Sequence, residues 1–307
     1  MYHHHIKSFC RNDEKYATMT AAYRAAVLIF DERTGQSFDY RKKRGVISAE
    51  LILPPGVVMS RSELWNAAEK AEKRKNSQVA REVEVSLPYE LEQTARRDLA
   101  HRYARWLVDR YSVGADVSLH QPVKGKQGDA RNFHAHIQIT TRRLSAAGLG
   151  EKTRELVCAK TSGEAEIMRA TWAQFVNEAY QQAGIDKRVD HRSLEAQGID
   201  RMATVHLGPA STAIERRGNT SQRGSINREI HEINEEIQAI NALRIEEAQA
   251  AAPAASVFSG MPEKAPGSPI ETFLLPGPTH YIRRKKMPLC PCLAHRWPMP
   301  NPPCPRK

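Results

Sequence analysis

The chain has 307 residues, of which 40% are hydrophobic and 26% charged, and its formal net charge is +11 at pH 7. This length accommodates one large domain or two ordinary ones, and the composition excludes a collagen-like or wholly disordered chain. No apolar run approaches the roughly 20 residues of a membrane span, and we expect neither membrane insertion nor a secretion signal. The five cysteines are too unevenly placed for a disulfide framework, so we expect a cytoplasmic protein.

The positive charge is concentrated at one end of the sequence. Residues 251–307 contain eight basic and two acidic residues, a net charge of +6, and 13 of the 18 prolines. Residues 1–250 therefore carry only +5, so net charge is weak evidence for a polyanionic partner. A basic, proline-rich segment without hydrophobic periodicity cannot bury enough apolar surface to offset its ordering entropy. We expect residues 251–307 to form a disordered tail.

The first 80 residues predict one strand and two helices. Residues 2–9 favour a strand, residues 17–30 an alanine-rich helix and residues 31–35 a turn. Ser60 followed three residues later by Glu63 is a capping signature. It predicts a second helix that begins there and ends near residue 80.

Three later segments alternate strictly between polar and apolar side chains, which is typical of half-buried strands. They are residues 81–88, 115–120 and 133–140. The polar segment 121–132 joins the last two as a long loop, so we expect those two strands to pair as a hairpin. Amphipathic segments at residues 91–111 and 164–183 predict two more helices.

A heptad-like pattern of isoleucine and leucine predicts a long helix over residues 225–250. Two uses of this helix stay open, because the pattern covers fewer than four heptads. It can dock on its own chain, or it can form a dimer through residues 226–245. The predicted organisation is one α/β domain at residues 1–215, a helical extension at 216–250 and the tail.

Side chains two residues apart point to the same face of a sheet, and this places a group of polar residues together. Val83, Val117 and Ile137 face the core of the three alternating strands. The opposite face then carries three histidines and two glutamates. They are His120, His134, His136, Glu82 and Glu84.

Three neutral imidazoles on rigid strands suit a divalent metal ion with open coordination positions, and a nearby carboxylate can orient one ligand. The alternative for an isolated His-x-His pair is an exposed surface site without metal. The alternative for Glu82 and Glu84 is a solvated strand face. The third histidine and the shared parity of the strands favour the metal site.

Several motifs resemble a known family. The segment Asn132-Phe-His-Ala-His136, with His120 upstream, resembles the HUH endonucleases. The combination of motifs resembles the plasmid mobilisation relaxases of the MobA/MobL (MobQ) type, in order over roughly residues 1–210. The other matching motifs are AAYRA (21–25), DERTG (31–35), AEKAEKRK (68–75), AREVEV (80–85), TTR (140–142), DHRSL (190–194) and LGP (207–209).

The resemblance implies an α/β fold around a central antiparallel sheet flanked by helices, and a bacterial enzyme that nicks and rejoins one DNA strand at an origin of transfer. Tyr23 is then the nucleophile, which forms a 5′-phosphotyrosine link. The three histidines hold Mg²⁺ or Mn²⁺, and Glu82 or Glu84 orients the site. Tyr16 is a rival nucleophile outside the matching motif. The implied partners are single-stranded and supercoiled plasmid DNA, accessory mobilisation proteins and a coupling protein.

The same resemblance suggests basic residues for DNA contacts, principally Arg24, Arg142 and Arg143, with the run at 41–44 as further candidates. Two other functions stay open. One is a rolling-circle replication initiator, which typically places its tyrosine after the histidines, whereas Tyr23 precedes them. The other is a DNA-binding mobilisation protein that has lost catalysis.

Overall fold

The computed structural model of the chain describes residues 2–122, 129–157 and 161–251. Residues up to Arg244 belong to one compact unit, and residues from Ile245 belong to a second, of which only 245–251 are described. Within these ranges the strands are β1 (His4–Cys10), β2 (Leu28–Asp31), β3 (Gln36–Asp39), β4 (Val46–Ile52), β5 (Gln78–Leu87), β6 (Ala115–His120), β7 (Phe133–Thr140), β8 (Arg142–Ser145) and β9 (Gly148–Lys152). The α-helices are α1 (Ala17–Ala25), α2 (Arg61–Ala71), α3 (Gln93–Tyr111), α4 (Glu164–Gln182), α5 (Gly208–Arg216) and α6 (Gln222–Ala251).

The central sheet has the strand order β1-β5-β7-β6-β4, and all neighbours in it are antiparallel. In its register, Val83 of β5 lies beside Ile137 of β7, which lies beside Val117 of β6. Two short hairpins, β2–β3 and β8–β9, form separate sheets. The predicted fold class and the predicted pairing of β6 with β7 are confirmed. Residues 123–128 of the predicted loop between them lie outside the described residues.

Helices α3 and α4 cover the apolar face of this sheet. Leu99, Tyr103 and Leu107 recur four residues apart along α3, so they lie on one side of the helix. These three residues, Trp172 of α4 and Ile137 of the sheet are all buried in one core cluster. Burial of each large apolar side chain contributes roughly 1.5–3 kcal/mol to folding.

Helices α1 and α2 lie against the opposite, polar face. The predicted capping box at the start of α2 is confirmed, because the Ser60 side chain accepts from Glu63 N while Glu63 Oε2 accepts from Ser60 N. Trp65 of α2 is fully buried, and its indole N–H donates to Asp116 Oδ2 of β6 at 2.9 Å. This bond fixes α2 over the polar face while satisfying a buried donor.

The predicted helix over residues 17–30 is too long. The helix ends at Ala25, because Ala26 takes a left-handed conformation with φ of 55°. The remainder forms the strand Leu28–Asp31, which pairs with Gln36–Asp39 around the predicted turn. An alanine-rich helix runs directly into an apolar strand here, without the glycine or proline that usually marks such an end.

The second predicted helix is also too long, since it ends at Ala71 and Glu72 is already extended. The charged segment that follows has high helix propensity, so the sequence does not mark where this helix ends. The structure adds β4, β8 and β9, which were not predicted. Strand β4 is a sheet edge of mostly half-buried residues, so its sequence lacks strict alternation.

The long C-terminal helix is confirmed as α6. Along it Ile230 is buried, whereas Ile233, Ile240 and Leu243 are exposed. Dimerisation through this helix stays a prediction. Residues 252–307, which hold almost all of the predicted disordered tail, lie outside the described residues. In the part of the chain that is described, none of the helices combines the length and apolarity needed to cross a bilayer.

The observed core predicts that replacing either of two isoleucines with alanine has very different effects on stability. Ile137→Ala leaves a cavity in the central strand and is expected to lower the free energy of unfolding by about 2–5 kcal/mol. Ile240→Ala removes the same atoms from an exposed helix face, and it is expected to change the free energy of unfolding by less than about 0.5 kcal/mol. Urea unfolding followed by circular dichroism measures both, and equal effects would contradict the assigned core.

Candidate active site

Three histidines meet on the polar face of the central sheet. His120 and His134 are direct neighbours in the β6–β7 register, and His136 follows two residues later on the same face. Their ring centroids lie 4.8–5.2 Å apart. One ring nitrogen of each lies within 4.8 Å of the others. The predicted cluster of histidines is therefore present as a compact group, in which His120 and His136 are buried.

Each of these histidines uses one ring nitrogen to donate to an oxygen acceptor. A carbonyl or carboxylate oxygen cannot donate, so that nitrogen carries a hydrogen, and in the neutral ring the other nitrogen keeps a lone pair. Burial lowers the pKa of His120 to about 3 and also lowers the pKa of His134, which keeps both rings neutral. The pairs are His120 Nε2 with the Arg24 carbonyl (2.8 Å), His134 Nδ1 with the Asn132 carbonyl (3.1 Å) and His136 Nδ1 with the Glu82 carboxylate (3.0 Å).

This donor set fits a divalent metal ion. Neutral imidazoles with a free lone pair are ready ligands, and a hydrogen bond on the opposite nitrogen orients each ring. Glu82, Glu84 and His136 form a second group of closely spaced donor atoms on the same face. The site thus combines nitrogen and carboxylate donors that can hold a metal ion with open positions.

Glu82 is the most buried acidic residue of the site, with no exposed surface. Its carboxylate accepts from His136, from Arg24 at 2.8 and 3.2 Å, and lies 2.7 Å from Lys7 Nζ. Burial raises the pKa of this carboxyl, but the His136 hydrogen bond and the two cations outweigh it, so the pKa lies well below its ordinary value. The alternative interpretation of Glu82, as part of a solvated strand face, is therefore wrong.

Glu84 has a different environment. Its side chain is 27% exposed and lies 2.7 Å from Lys7 Nζ, but 3.9 Å from His136 Nδ1. Glu84 is the direct register neighbour of His136, yet the diagonal residue Glu82 makes the closer contact. The geometry therefore favours Glu82 as the residue that orients His136.

Tyr23 lies in the last turn of α1. Its ring is 43% exposed and meets the edge of Tyr40 at 5.2 Å. The next residue, Arg24, contacts the cluster twice, through its guanidinium group on Glu82 and its carbonyl on His120. The helix turn that bears the exposed Tyr23 is therefore bonded to His120 and Glu82 through the residue next to it.

Tyr16 occupies a different place. It is the N-cap of α1, about 10 Å along the helix from Tyr23 at 1.5 Å per residue. Its ring stacks on Phe38 with centroids 6.1 Å apart, and the guanidinium carbon of Arg33 lies 5.0 Å from its centroid. These contacts give Tyr16 a role in packing the start of the helix.

The three arginines predicted to contact DNA already have partners within the chain. Arg24 pairs with Glu82. Arg142 pairs with Glu72 at 2.9 Å, and Arg143 lies 2.7 Å from Glu155. Arg142 and Arg143 follow the far end of β7, about 20 Å along the strand from His136 at 3.3 Å per residue. The structure does not bring them to the histidine cluster, and their DNA contacts stay a prediction.

Two lysines make contacts in the site that the sequence did not predict: Lys7, which was not singled out, and Lys43, which was included only in the basic run 41–44 as a candidate for DNA contacts. Lys7 bridges Glu82 and Glu84 because β1 pairs with β5, and Lys43 contacts Tyr23. No local pattern marks either contact, since both depend on chain segments that are far apart in sequence.

The profile of the MobA/MobL family matches residues 15–217. This range includes Tyr23, both glutamates and all three histidines. The chain belongs to the MobA/MobL family. The resemblance found in the sequence motifs is confirmed.

Two relatives carry names that refer to mobilisation and conjugal transfer. Mobilization protein MobL of Acidithiobacillus ferridurans is 41% identical over 249 residues, which cover 73% of this chain and 66% of MobL. The probable conjugal transfer protein TraA of Sinorhizobium fredii is 29% identical over 275 residues, which cover 80% of this chain and 24% of TraA. The chain thus spans just under two thirds of one relative and about a quarter of the other.

A solved structure described as the molecular basis of vancomycin resistance transfer in Staphylococcus aureus has the same fold. It superposes with a TM-score of 0.55 and is 27% identical in sequence. The match covers 63% of this chain and 99% of that chain. The α/β architecture around an antiparallel sheet is therefore shared with a protein linked to resistance transfer.

The histidine cluster predicts a metal-binding result. Changing His134 and His136 together to alanine is expected to weaken Mn²⁺ binding at least about 100-fold, because two of three imidazole donors are lost. Glu82→Gln is expected to weaken it about 10- to 100-fold through loss of the carboxylate that orients His136. Isothermal titration calorimetry measures the affinities, with His231→Ala on the exposed side of α6 as the control. Unchanged affinity of the double variant would place the metal ligands elsewhere.

Proposed function

We propose that this chain is a mobilisation relaxase that nicks and rejoins one DNA strand at a plasmid origin of transfer. The observation that carries the proposal is the contact of Arg24 with both Glu82 and His120, since it holds the Tyr23 turn beside the three histidines. Family membership and the order of Tyr23 before the histidines both favour a relaxase over a rolling-circle initiator. The proposed location is the bacterial cytoplasm.

In the proposed reaction, the Tyr23 phenol oxygen attacks the scissile phosphorus. The Oη–P bond forms as the P–O3′ bond breaks, the phenol proton leaves to solvent, and the departing 3′ oxygen takes up a proton. The 5′ end stays attached to Tyr23. Attack of the 3′-hydroxyl reverses each of these steps and recloses the strand without ATP.

The other residues of the site hold the reacting groups in place. His120, His134 and His136 hold a Mg²⁺ or Mn²⁺ ion, which polarises the phosphate and stabilises negative charge on its oxygens when bound. Glu82 fixes the ring of His136 and keeps its second nitrogen free. Arg24 ties Glu82 to the helix that bears Tyr23.

The proposed substrate is single-stranded DNA at the origin of a supercoiled plasmid. The half-exposed Tyr23 ring leaves the nucleophile accessible to an extended strand. Accessory mobilisation proteins and a conjugative coupling protein are the proposed partners, in keeping with the conjugal transfer relatives.

The proposal predicts a covalent protein–DNA adduct. Purified protein is incubated with Mn²⁺ and labelled single-stranded oligonucleotides that tile the plasmid carrying the gene, and adducts are resolved on denaturing gels. One oligonucleotide is expected to give an adduct that EDTA and Tyr23→Phe abolish, because the metal ion and the phenol oxygen are both required. Tyr16→Phe is the matched control and is expected to retain the adduct. An adduct that survives Tyr23→Phe would refute the assigned nucleophile.

A further inference from the structure

One lysine of the basic run 41–44 differs from its neighbours. Lys43 Nζ lies 3.9 Å from the centroid of the Tyr23 ring and donates to the Tyr23 carbonyl at 2.8 Å. Lys43 is half-buried, whereas Arg41 and Lys42 are exposed, and Arg41 pairs with Asp39. The sequence gives no reason to distinguish these cations, but in the structure Lys43 contacts the ring of the candidate nucleophile Tyr23.

The backbone on both sides of Lys43 is anchored. Lys43 N donates to the Tyr40 carbonyl at 2.8 Å, and the Tyr40 ring packs edge-on against Tyr23. On the other side, the Gly45 carbonyl accepts from Gln121 N at 2.8 Å, directly after His120 in β6. Gly45 has φ of 91°, a conformation that favours glycine. The segment from Tyr40 to Gly45 is therefore held at one end by the residue that packs against Tyr23, and at the other end by a hydrogen bond to the strand that carries His120.

The position of Lys43 has an electrostatic reason. The Tyr23 carbonyl lies in the last turn of α1, where carbonyls lack partners within the helix and carry its negative end. Burial, together with the charge of Arg24, lowers the pKa of Lys43 to about 8, and Glu82 opposes this shift. Lys43 is also near enough to His120 for its charge to favour the neutral imidazole. The ammonium group thus contacts the Tyr23 ring and lies within electrostatic range of His120.

We propose that Lys43 is a positioning residue for Tyr23: its ammonium group fixes the ring and holds a positive charge against the ring face during strand transfer. This inference rests on the proposed function of Tyr23. As the phenol proton leaves to solvent and the Oη–P bond replaces the P–O3′ bond, the ring passes through a state with more negative charge. A cation on the ring face stabilises that state more than the neutral phenol.

The test separates the charge at residue 43 from the charge of the loop. Lys43→Met and Lys42→Met each remove one cation, and Lys43→Arg keeps it. Adduct formation is measured under single-turnover conditions at pH 7 with saturating oligonucleotide and Mn²⁺. Lys43→Met is expected to be about 10- to 100-fold slower than Lys42→Met, while Lys43→Arg stays within about threefold of wild type. Oligonucleotide affinity in EDTA is expected to fall equally in the two methionine variants.

The pH dependence adds a result that a purely structural role would not give. Lys43 loses its proton as the pH rises through about 8, whereas arginine stays charged. The ratio of the wild-type rate to the Lys43→Arg rate is therefore expected to fall between pH 7 and 9.5. The wild type and Lys43→Arg share all other groups that face residue 43, so the titration of those groups largely cancels from the ratio. These groups are Arg24, Glu82, His120, Tyr23 and Tyr40.

Two results would overturn the role of Lys43 while leaving the proposed function intact. They are a Lys43→Met rate equal to that of Lys42→Met, and a flat pH ratio, in a protein whose adduct requires Tyr23. Absence of any wild-type adduct would instead refute the proposed function. The ring contact is tested without DNA or metal by NMR of protein with ¹³C-labelled tyrosine. The Tyr23 ring signal is expected to shift in Lys43→Met but not in Lys42→Met, and an unshifted signal would refute the contact.

Discussion

The ion pair between the half-buried Arg24 and the fully buried Glu82 determines how the two halves of the candidate site meet. Glu82 has no exposed surface, so its charge depends on partners within the chain: His136, Lys7 and Arg24. Removing one partner of a buried pair typically costs about 3–5 kcal/mol, because the other charge stays desolvated. The pair therefore resists separation of the Tyr23 turn from the strand that faces the histidines. A mobile link at this point would leave the proposed nucleophile without a fixed distance to the candidate metal ligands.

Helix α1 is held at its other end as well. Glu69 of α2 accepts from Ala17 N at 2.6 Å, where the first N–H groups of a helix lack partners, and Gln138 donates to the Ala17 carbonyl at 3.0 Å. At the far end, Lys43 and His120 donate to the carbonyls of the last turn. A helix with both ends bonded has little freedom to rotate or slide. The hydrogen bond from His120 thus serves two purposes, since it fixes the ring tautomer and docks the helix.

The parts of this arrangement that follow a local period could be predicted from the sequence. Strict alternation identified β5, β6 and β7 and placed His120, His134 and His136 on one face, because side-chain direction in a strand has a period of two. The ends of α1 and α2 were missed because no breaking residue marks them. The contacts of Lys7 and Lys43 were missed because they depend on strand pairing and loop closure between distant segments. Propensity and periodicity contain no information about such pairings.

The charges within the candidate site say more about its chemistry than the net charge of +11 does. In the site, the two cations Lys7 and Arg24 are balanced by the two carboxylates Glu82 and Glu84, and burial keeps His120 neutral. Among the described residues, Lys43 has no carboxylate within ion-pair distance, so its charge is not cancelled by a direct partner. In the proposed reaction, a phosphodiester and an ionising phenol would both bring negative charge to this place. The cation that remains uncompensated is the one that lies on the Tyr23 ring, which is where such charge would develop.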